Sequence, residues 1–360
     1  MLVVQIDHHL GNTVITLPIL QELARHFAHG IDLLVDDRYL DLARHVQNVN
    51  RLESYPAQRT VDGRSRSPSG EIVALHLRLL ARRYHAVIDL GGSTRSSMMT
   101  LCTASPRRFG FDDVRRPWCY SHVVVPPKTT RQGPHAFDRY ALMLRCIGRD
   151  PQNQPPSLQP LPRPDDPQRS KLRADLDALW PPAPQPDPAP LVLMHPSAGI
   201  AWRCWPPERF AAVADHLITQ RNARVLILGT PADQPLAQQL IDAAQHPRHL
   251  RFHCGPLDQL LSLIHAADLI VSNESGPTHL ATLAGLPAVT IFGPTSEAIW
   301  SPMAHDPTRL TVLRGTDCDP GCYGRTCIAD RKCLLQLSAP RVAHAAQQML
   351  DQTHPTTPFP

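Results

Sequence analysis

Residues 269–284 read LIVSNESGPTHLATLA, and this stretch decides the fold class. Residues 269–272 are mostly apolar and suit a buried strand, whereas 277–284 has helical spacing with Pro at the first turn. A strand that passes through Ser and Gly directly into a helix is typical of a doubly wound α/β sheet. The N–H groups of such a helix start suit a pyrophosphate, although the same arrangement also occurs as a plain capped helix.

The same alternation of short strands and helices extends over most of the chain. In the first half it predicts strands at 2–6, 31–35, 86–90 and 122–125 and a helix at 13–27. In the second half it predicts strands at 191–194, 224–228, 269–272, 288–292 and 310–313, with helices at 207–219, 236–244, 258–266 and 277–284. The polar residues 61–70 are predicted to form a mobile loop. Gly and Pro after the strands favour parallel sheets whose loops gather at the carboxyl ends of the strands.

A proline-rich stretch separates the two halves. Residues 151–190 contain thirteen prolines, and only 170–180 within them has helical spacing, which indicates a linker. We therefore predict an α/β protein of the doubly wound type, with two Rossmann-like domains that face a central cleft. The predicted boundaries are 1–165 and 191–345 for the domains, 166–190 for the linker and 346–360 for a tail.

Composition and charge narrow the functional classes. The 360 residues are 42% hydrophobic and 19% charged, which supports sizeable cores and excludes a disordered chain. A net charge of +4 gives no broad field for nucleic acid, so no nucleic-acid partner is predicted. The sequence contains no run of eighteen apolar residues that could form a transmembrane segment. Residues 1–20 lack the cationic start of a signal peptide. These features indicate a cytoplasmic protein.

A second loop resembles the Ser-Gly turn of residues 275–276. Small residues, among them Ser197 and Gly199, follow the strand predicted at 191–194, and Arg203 precedes a helix start. Two such loops would close on one nucleotide diphosphate, with Arg203 balancing the charge of a leaving diphosphate. We interpret Trp205 as a core residue rather than as part of the site.

Five motifs occur in one order along the chain and together resemble a known family. They are Gly11-Asn12 with Thr16-Leu17-Pro18-Ile19-Leu20, the block 196–210, Leu228-Gly229-Thr230-Pro231-Ala232-Asp233, Ser275-Gly276-Pro277-Thr278-His279-Leu280-Ala281, and Phe292-Gly293-Pro294-Thr295. Over residues 2–350 the chain resembles the ADP-heptose:lipopolysaccharide heptosyltransferases, glycosyltransferase family 9. The resemblance implies the GT-B fold, with acceptor bound mainly by the N-terminal domain and ADP-sugar by the C-terminal domain.

The resemblance also implies a set of donor-binding residues. They are Ser197, Gly199, Arg203, Asp233, Glu274, Ser275, Gly276 and His279. Glu274 stands where the family usually has Asp, and Arg203 stands where it has Lys, so charge is kept while hydrogen-bond geometry changes. Asp233 aligns near an acidic residue that resembles a ribose contact. Its alternative is a helix N-cap before Pro235.

The first loop departs from the family at the position of the general base. The family usually has Gly-Asp there, whereas this chain has Gly11-Asn12, and an amide does not take up a proton at neutral pH. Asp7 and His9 lie in the same loop, so His9 is our first choice for the base and Asp7 the second. The alternative is a protein that binds nucleotide sugar but catalyses poorly because of Asn12.

Four of the nine cysteines lie close together near the C-terminus. Cys318, Cys322, Cys327 and Cys333 occupy a turn-rich loop, 318–333, where four thiolates suit a tetrahedral zinc or iron ion. Similar groups occur in part of the family. We predict a structural metal, with reduced thiols or a disulfide pair as alternatives, and the family's chemistry implies no cofactor for catalysis.

Arginines of the N-terminal half are candidates for binding an acidic acceptor. Arg95 follows the strand predicted at 86–90 and is therefore expected at the cleft, and Arg64 and Arg108 are further candidates. A solvated surface is the ordinary alternative for each of them.

The resemblance thus implies an inverting glycosyltransferase that moves heptose from ADP-heptose to an acceptor hydroxyl, such as one on the lipopolysaccharide inner core. A glycan or lipid-linked acceptor at the inner-membrane face would place the protein peripherally on that membrane. A protein or a small molecule is the alternative acceptor. The rival functions are a nucleotide-sugar epimerase on the same fold and a binder without catalysis.

Overall fold

Two parallel six-stranded sheets, one in each of two units of the chain, form the framework of the protein. The computed structural model describes residues 1–56, 59–61, 64–66, 69–128, 133–153, 156–158, 161, 166–180, 189–315 and 331–353. The first unit is Met1–Gln159, and the second is Pro160–Pro360.

The first unit contains eight described strands and five described helices. In chain order these are β1 (Leu2–Gln5), α1 (Leu10–His26), β2 (Ile31–Asp36), α2 (Leu40–Ala43), β3 (Val49–Tyr55), β4 (Arg59–Val61), β5 (Arg64–Arg66), α3 (Ser69–Ala81), β6 (Ala86–Asp89), α4 (Thr94–Cys102), β7 (Arg107–Phe111), β8 (His122–Val124) and α5 (Ala136–Ala141). Its sheet has the order β3-β2-β1-β6-β7-β8, with every neighbouring pair parallel. β4 and β5 form a separate antiparallel pair.

The second unit repeats this plan. Its elements are α6 (Asp166–Asp177), β9 (Leu191–His195), α7 (Pro207–Arg221), β10 (Arg224–Leu228), α8 (Gln234–Ala243), β11 (Leu250–His253), α9 (Leu257–Ala266), β12 (Leu269–Asn273), α10 (Gly276–Leu283), β13 (Ala288–Ile291), α11 (Glu297–Trp300), β14 (Leu310–Leu313), α12 (Lys332–Leu335) and α13 (Ala339–Thr353). The sheet order is β11-β10-β9-β12-β13-β14, again parallel throughout. Helices α7 and α13 pack together on this sheet around Trp205 and Phe210, whose rings meet edge to face at 5.1 Å.

Both sheets have the strand order of a Rossmann fold. When only the strands of the six-stranded sheet are numbered, each unit has the order 3-2-1-4-5-6. Strands 1 to 3 therefore follow one another towards one edge of the sheet and strands 4 to 6 towards the other edge, so the order reverses between strands 1 and 4. In such sheets ligands bind outside the carboxyl ends of the strands at this reversal. The prediction of two Rossmann-like doubly wound domains is confirmed. The two reversals lie between β1 and β6 and between β9 and β12.

Helices of the second unit lie within the stretches predicted as the linker and the tail. In the linker, α6 is fixed to the sheet because Arg173 donates to Asp268 at 2.8 Å and to the backbone oxygen of Ala266 at 2.9 Å. In the tail, residues 346–353 complete α13, and Ala346 and Leu350 are fully buried. Twelve of the thirteen prolines that indicated a linker lie on either side of α6, and Pro167 lies in its first turn. The tail has the apolar spacing of a packed helix.

Two smaller differences lie in the first unit. Helix α1 begins at Leu10 rather than at residue 13, so Asn12 belongs to its first turn. Residues 64–66 form β5, and α3 begins at Ser69, so the prediction of a loop is wrong at these positions. No helix in the described part of the chain is both long and apolar enough to span a membrane.

Candidate functional site

The sequence-predicted donor residues gather at the reversal point of the second sheet. Ser272 of β12 pairs with His195 of β9, so the loops that leave these two strands start side by side. One loop, 196–205, carries Ser197, Gly199 and Arg203. The other carries Glu274 and leads directly into α10. The fold therefore places both motifs where a doubly wound sheet binds its ligand.

Asn273, the last residue of β12, ties the two ends of the 196–205 loop together. Its side chain is 1% exposed. The side-chain Nδ2 donates to the backbone oxygen of Pro196 at 2.6 Å, and Oδ1 accepts from the backbone N–H of Trp205 at 3.1 Å. A carboxamide suits this position because it offers a donor and an acceptor together. Asn273 is not among the site residues predicted from the sequence, although its place at a strand end beside Glu274 was the available signal.

Trp205 anchors the far end of the same loop in the core, as predicted. Its indole is fully buried, and Nε1 donates to the backbone oxygen of Leu337 at 3.2 Å. Arg203 lies two residues earlier, with its guanidinium 5.4 Å from the ring centre of Trp202. The Nε of Arg203 is buried and has no hydrogen-bond partner among the described residues. A cation with a spare donor is therefore held next to the loop that leads into α10.

Glu274 precedes the first residue of α10 by two positions in the chain. Its Oε2 accepts from the hydroxyl of Thr295 at 2.7 Å. Burial raises the pKa of Glu274, and the hydrogen bond from Thr295 and the charge of Arg203 only partly offset that rise. The charge effect shows that Glu274 and Arg203 are close enough to interact.

The start of α10 has the features of an anion-binding helix end. Ser275 is its N-cap residue, but the Ser275 side chain makes no capping hydrogen bond to the backbone. Instead, the hydroxyl of Ser275 lies 3.0 Å from that of Thr278. Gly276 is the first helical residue, and His279 is 4% exposed one turn later. The positive end of the helix dipole and the positive charge of Arg203 both favour an anion at the loop that leads into α10.

His195, Ser197 and Asp233 form a polar cluster on the β10 side of the site. The Nε2 of His195 lies 3.1 Å from the Ser197 hydroxyl, and burial lowers the pKa of His195 to about 4, against the smaller effect of Asp233. Asp233 accepts from both the backbone N–H and the hydroxyl of Thr230 at 2.7 Å. Burial raises the pKa of Asp233, but hydrogen bonds from Thr230 and Ser197 bring it below its ordinary value. These contacts make Asp233 part of a capping box with Thr230.

Gly199 differs from the other donor candidates. It is exposed, and no described atom lies within 4 Å of where a Cβ would be. The fold itself therefore does not require glycine at this position.

The candidate base loop lies at the carboxyl end of β1 in the first unit. The carboxylate of Asp7 accepts from the side-chain Nδ2 of Asn12 at 2.9 Å and from the backbone N–H of His9 at 2.8 Å. The imidazole Nδ1 of His8 is 3.8 Å from the same carboxylate, and His9 is exposed. One ring nitrogen of each histidine and a carboxylate oxygen of Asp7 lie within 4.8 Å of one another. Asn12 thus orients a carboxylate that the sequence had offered as the alternative base.

The neighbouring strand β6 ends in a buried acid. Asp89 is fully buried and accepts from the backbone N–H groups of Gly91 and Gly92 at 2.9 and 3.2 Å and from the hydroxyl of Tyr120 at 2.7 Å. Burial raises its pKa to about 6, although these hydrogen bonds work in the opposite direction. The loop that Asp89 holds leads to Arg95 in the first turn of α4.

The acceptor candidates do not come together in the described part of the first unit. Arg95 is half-buried, and its charge opposes the rise that burial causes in the pKa of Tyr55. Arg108 is the second residue of β7, away from the carboxyl end, and its guanidinium donates to the backbone oxygens of Ser105 and Cys119. These contacts favour a structural role for Arg108. Arg64 belongs to β5, and its side chain lies outside the described part of the protein.

The cysteine cluster falls largely outside the described residues. Cys318, Cys322 and Cys327 lie there, whereas Cys333 is fully buried in α12.

The protein has the architecture of the GT-B class, with two Rossmann-like sheets and polar loops at the reversal point of each. The family model described as glycosyltransferase family 9 (heptosyltransferase) matches residues 72–330, and the chain belongs to this family.

Several relatives and solved structures are similar to the chain. The lipooligosaccharide heptosyltransferase 2 of Haemophilus influenzae is 32% identical over 117 residues, which cover 31% of this chain and 33% of that protein. The lipopolysaccharide heptosyltransferase 2 of Escherichia coli K12 is 26% identical over 255 residues, 68% of this chain and 70% of that protein. The structure of the E. coli ADP-heptose lps heptosyltransferase II has a TM-score of 0.74 at 21% identity, covers 98% of this chain and 99% of its own, and shows likeness of fold.

Proposed function

We propose that this protein is an inverting heptosyltransferase that transfers heptose from ADP-heptose to a hydroxyl of a lipopolysaccharide inner-core acceptor. The observation that carries the proposal is the junction at Asn273, which joins the Arg203 loop to the start of α10. The relatives in Haemophilus influenzae and Escherichia coli are heptosyltransferases of lipooligosaccharide and lipopolysaccharide, which supports heptose as the sugar and a lipopolysaccharide as the class of acceptor. The work of the protein is therefore to bind a diphosphate in the second unit and an acceptor in the first.

The second unit would stabilise the negative charge that develops on the departing diphosphate. Arg203 supplies a full positive charge, and the amino end of α10 supplies backbone N–H groups and the helix dipole. These groups stay in place during the reaction because Asn273 and Trp205 fix both ends of the loop. No catalytic cofactor is part of this proposal.

The first unit would remove the proton from the attacking hydroxyl. We assign His9 as the base, because its imidazole is exposed at the start of α1 and lies near the carboxylate of Asp7. The carboxylate stabilises the imidazolium that forms, and Asn12 keeps the carboxylate in position. Asp7 is the alternative base.

Donor binding by the α10 start is tested with Gly276→Asp. A carboxylate beside the diphosphate should weaken binding of ADP by about tenfold or more, because a charge-assisted contact contributes roughly 1.5–3 kcal/mol. The control is Gly70→Asp, which adds the same charge at an exposed position of the first unit with no described atom within 4 Å of the new Cβ. Equal ADP affinity of both variants in calorimetry would remove the donor assignment from this loop.

The reaction itself is tested with purified protein, ADP-heptose and a panel of acceptors. Transfer of heptose to an inner-core glycolipid, followed by mass spectrometry, is the expected result, with inverted configuration at the anomeric carbon. A product formed from ADP-heptose alone would indicate an epimerase instead. Tight ADP-heptose binding without transfer to any acceptor would favour a binding protein, which is the function that Asn12 in place of Asp suggests.

The proposal extends to location and to the cysteine cluster. A lipid-linked acceptor implies a cytoplasmic protein that works peripherally at the inner membrane. For residues 318–333, we propose a structural zinc or iron ion held by the four cysteines.

A further inference from the structure

The loop that follows β1 brings two imidazoles and a carboxylate together. One ring nitrogen each of His8 and His9 and a carboxylate oxygen of Asp7 lie within 4.8 Å of one another. The Nδ1 of His8 is 3.8 Å from Oδ1 of Asp7, and the centres of the two imidazole rings are 3.8 Å apart. In the described part of the chain, this is the one group of three or more His, Cys, Asp or Glu side chains whose metal-ligating atoms lie this close together. Two imidazoles and a carboxylate form a common three-ligand metal site.

Contacts within the first unit hold the backbone of this loop. The phenolic hydroxyl of Tyr39 donates to the backbone oxygen of His8 at 2.9 Å. The side-chain Nδ2 of Asn12 donates to Oδ2 of Asp7 at 2.9 Å, which is the kind of hydrogen bond that orients a carboxylate ligand of a metal. The imidazoles of His8 and His9 are exposed, so small rotations of their side chains can bring them towards an ion.

The carboxylate of Asp7 has no lysine or arginine partner among the described residues. Its side chain is 11% exposed, and the ion pair that it forms there is with His8. It accepts one hydrogen bond from the backbone N–H of His9 and one from Asn12. About two of the four lone-pair positions of a carboxylate are then still open. A largely buried carboxylate with spare lone pairs and neutral hydrogen-bond donors suits a cation.

We propose that Asp7, His8 and His9 bind one Zn²⁺ ion. Imidazole nitrogens with one carboxylate suit zinc, whereas Mg²⁺ and Ca²⁺ take oxygen ligands. Tetrahedral ligands at about 2.0–2.2 Å from zinc lie roughly 3.4 Å from one another. The 3.8 Å between Nδ1 of His8 and Oδ1 of Asp7 is close to this separation. Three protein ligands leave the fourth position to water.

The consequence of this site for the reaction rests on the proposed function. When one ring nitrogen of a neutral imidazole binds zinc, the other nitrogen carries the proton, so the ring has no lone pair left for a second proton. Zinc on His9 would therefore block the base and inhibit transfer. Binding of the ion, however, depends only on the loop and is measurable without donor or acceptor.

The test is equilibrium dialysis of the full-length protein against micromolar free Zn²⁺, followed by elemental analysis. The wild type should hold about one zinc per chain more than His8→Ala, and His8→Ala should bind this ion at least about tenfold more weakly. Both chains contain the same cysteines, so any zinc on residues 318–333 cancels in the comparison. Dialysis against Mg²⁺ at the same concentration should give no difference between the two chains.

The matched control is His29→Ala, which removes an exposed histidine beyond the opposite end of α1. It should hold as much zinc as the wild type. His9→Ala is a second variant, with the same expected loss as His8→Ala. If His8→Ala and His9→Ala both hold as much zinc as the wild type, or if His29→Ala loses as much as they do, the loop is not a metal site.

Zinc binding and heptose transfer fail independently in this design. In EDTA, His8→Ala should turn over as the wild type does, because the His8 side chain has no part in the proposed proton transfer. It should keep that turnover at Zn²⁺ concentrations that inhibit the wild type. Zinc bound by the wild type without inhibition of transfer would support the metal site and contradict His9 as the base. Equal zinc contents together with active transfer would overturn the metal site and leave the proposed function standing.

Discussion

Replacing Asn273 should disable donor binding, because this one side chain holds both ends of the Arg203 loop. Asn273→Ala removes the hydrogen bonds to the Pro196 oxygen and the Trp205 N–H, and both of these residues are buried. A buried backbone group left without a partner costs about 1–3 kcal/mol, so the two together cost about 2–6 kcal/mol if the loop does not move. The loop will relax to avoid part of this cost, and Arg203 will then leave its position.

The expected result is a loss of ADP affinity of at least about tenfold. A tenfold loss corresponds to about 1.4 kcal/mol of binding free energy, which would be spent on restoring the loop. Asn273→Asp should also weaken binding, since a carboxylate still accepts from the Trp205 N–H but does not donate to the Pro196 oxygen. Isothermal titration calorimetry with ADP measures both variants, and thermal unfolding shows whether the second unit stays folded.

Thr290→Val is the matched control for Asn273→Ala. Thr290 lies on the adjacent strand β13 and is fully buried, and its hydroxyl has no hydrogen-bond partner among the described residues. Removing that hydroxyl should leave ADP affinity unchanged and stability equal or slightly higher. If Asn273→Ala binds ADP as tightly as Thr290→Val does, the amide does not hold the loop and the reasoning is wrong.

The remaining predictions concern a buried acid, the base and the cysteine cluster. Asp89 has a pKa of about 6 in the folded protein against 3.8 for the ordinary carboxyl, so the folded state keeps a proton that the unfolded chain releases. The first unit should therefore lose about 2 kcal/mol of stability as pH rises from 4 to 6, out of about 3 kcal/mol over the whole titration, and Asp89→Asn should abolish this dependence in amide hydrogen exchange of β1 and β6. His9→Ala should reduce turnover about 10²- to 10⁴-fold with little change in ADP affinity, and wild-type turnover in His9→Ala, Asp7→Asn and the double variant would exclude a base in this loop. Elemental analysis should find about one zinc or iron per chain, and Cys327→Ser should lower that value, whereas a metal-free and fully active wild type after anaerobic purification would exclude the metal.

The sequence by itself determined where five of the six strands of the second sheet lie. Strands such as 224–228 and 310–313 agree with β10 and β14 because buried parallel strands are short apolar runs with clear ends. It did not predict β3 or β11, since these strands are more polar, and it placed the end of α13 in a tail. Local apolar spacing decides whether an element is recognised.

The sequence also determined that Ser and Gly follow the ends of two strands and that a cation follows one of them, because the residues of each motif are neighbours in the chain. Only the tertiary structure decided that the two loops meet. Asn273 reaches Pro196 because β9 and β12 are neighbours in the sheet and pair in a particular register. The two residues are 77 positions apart in the chain, so no local sequence pattern reveals this contact. In the same way, α3 was not predicted from the sequence, and only the packing of Leu75 and Leu79 on the sheet decides that Leu77 faces outward.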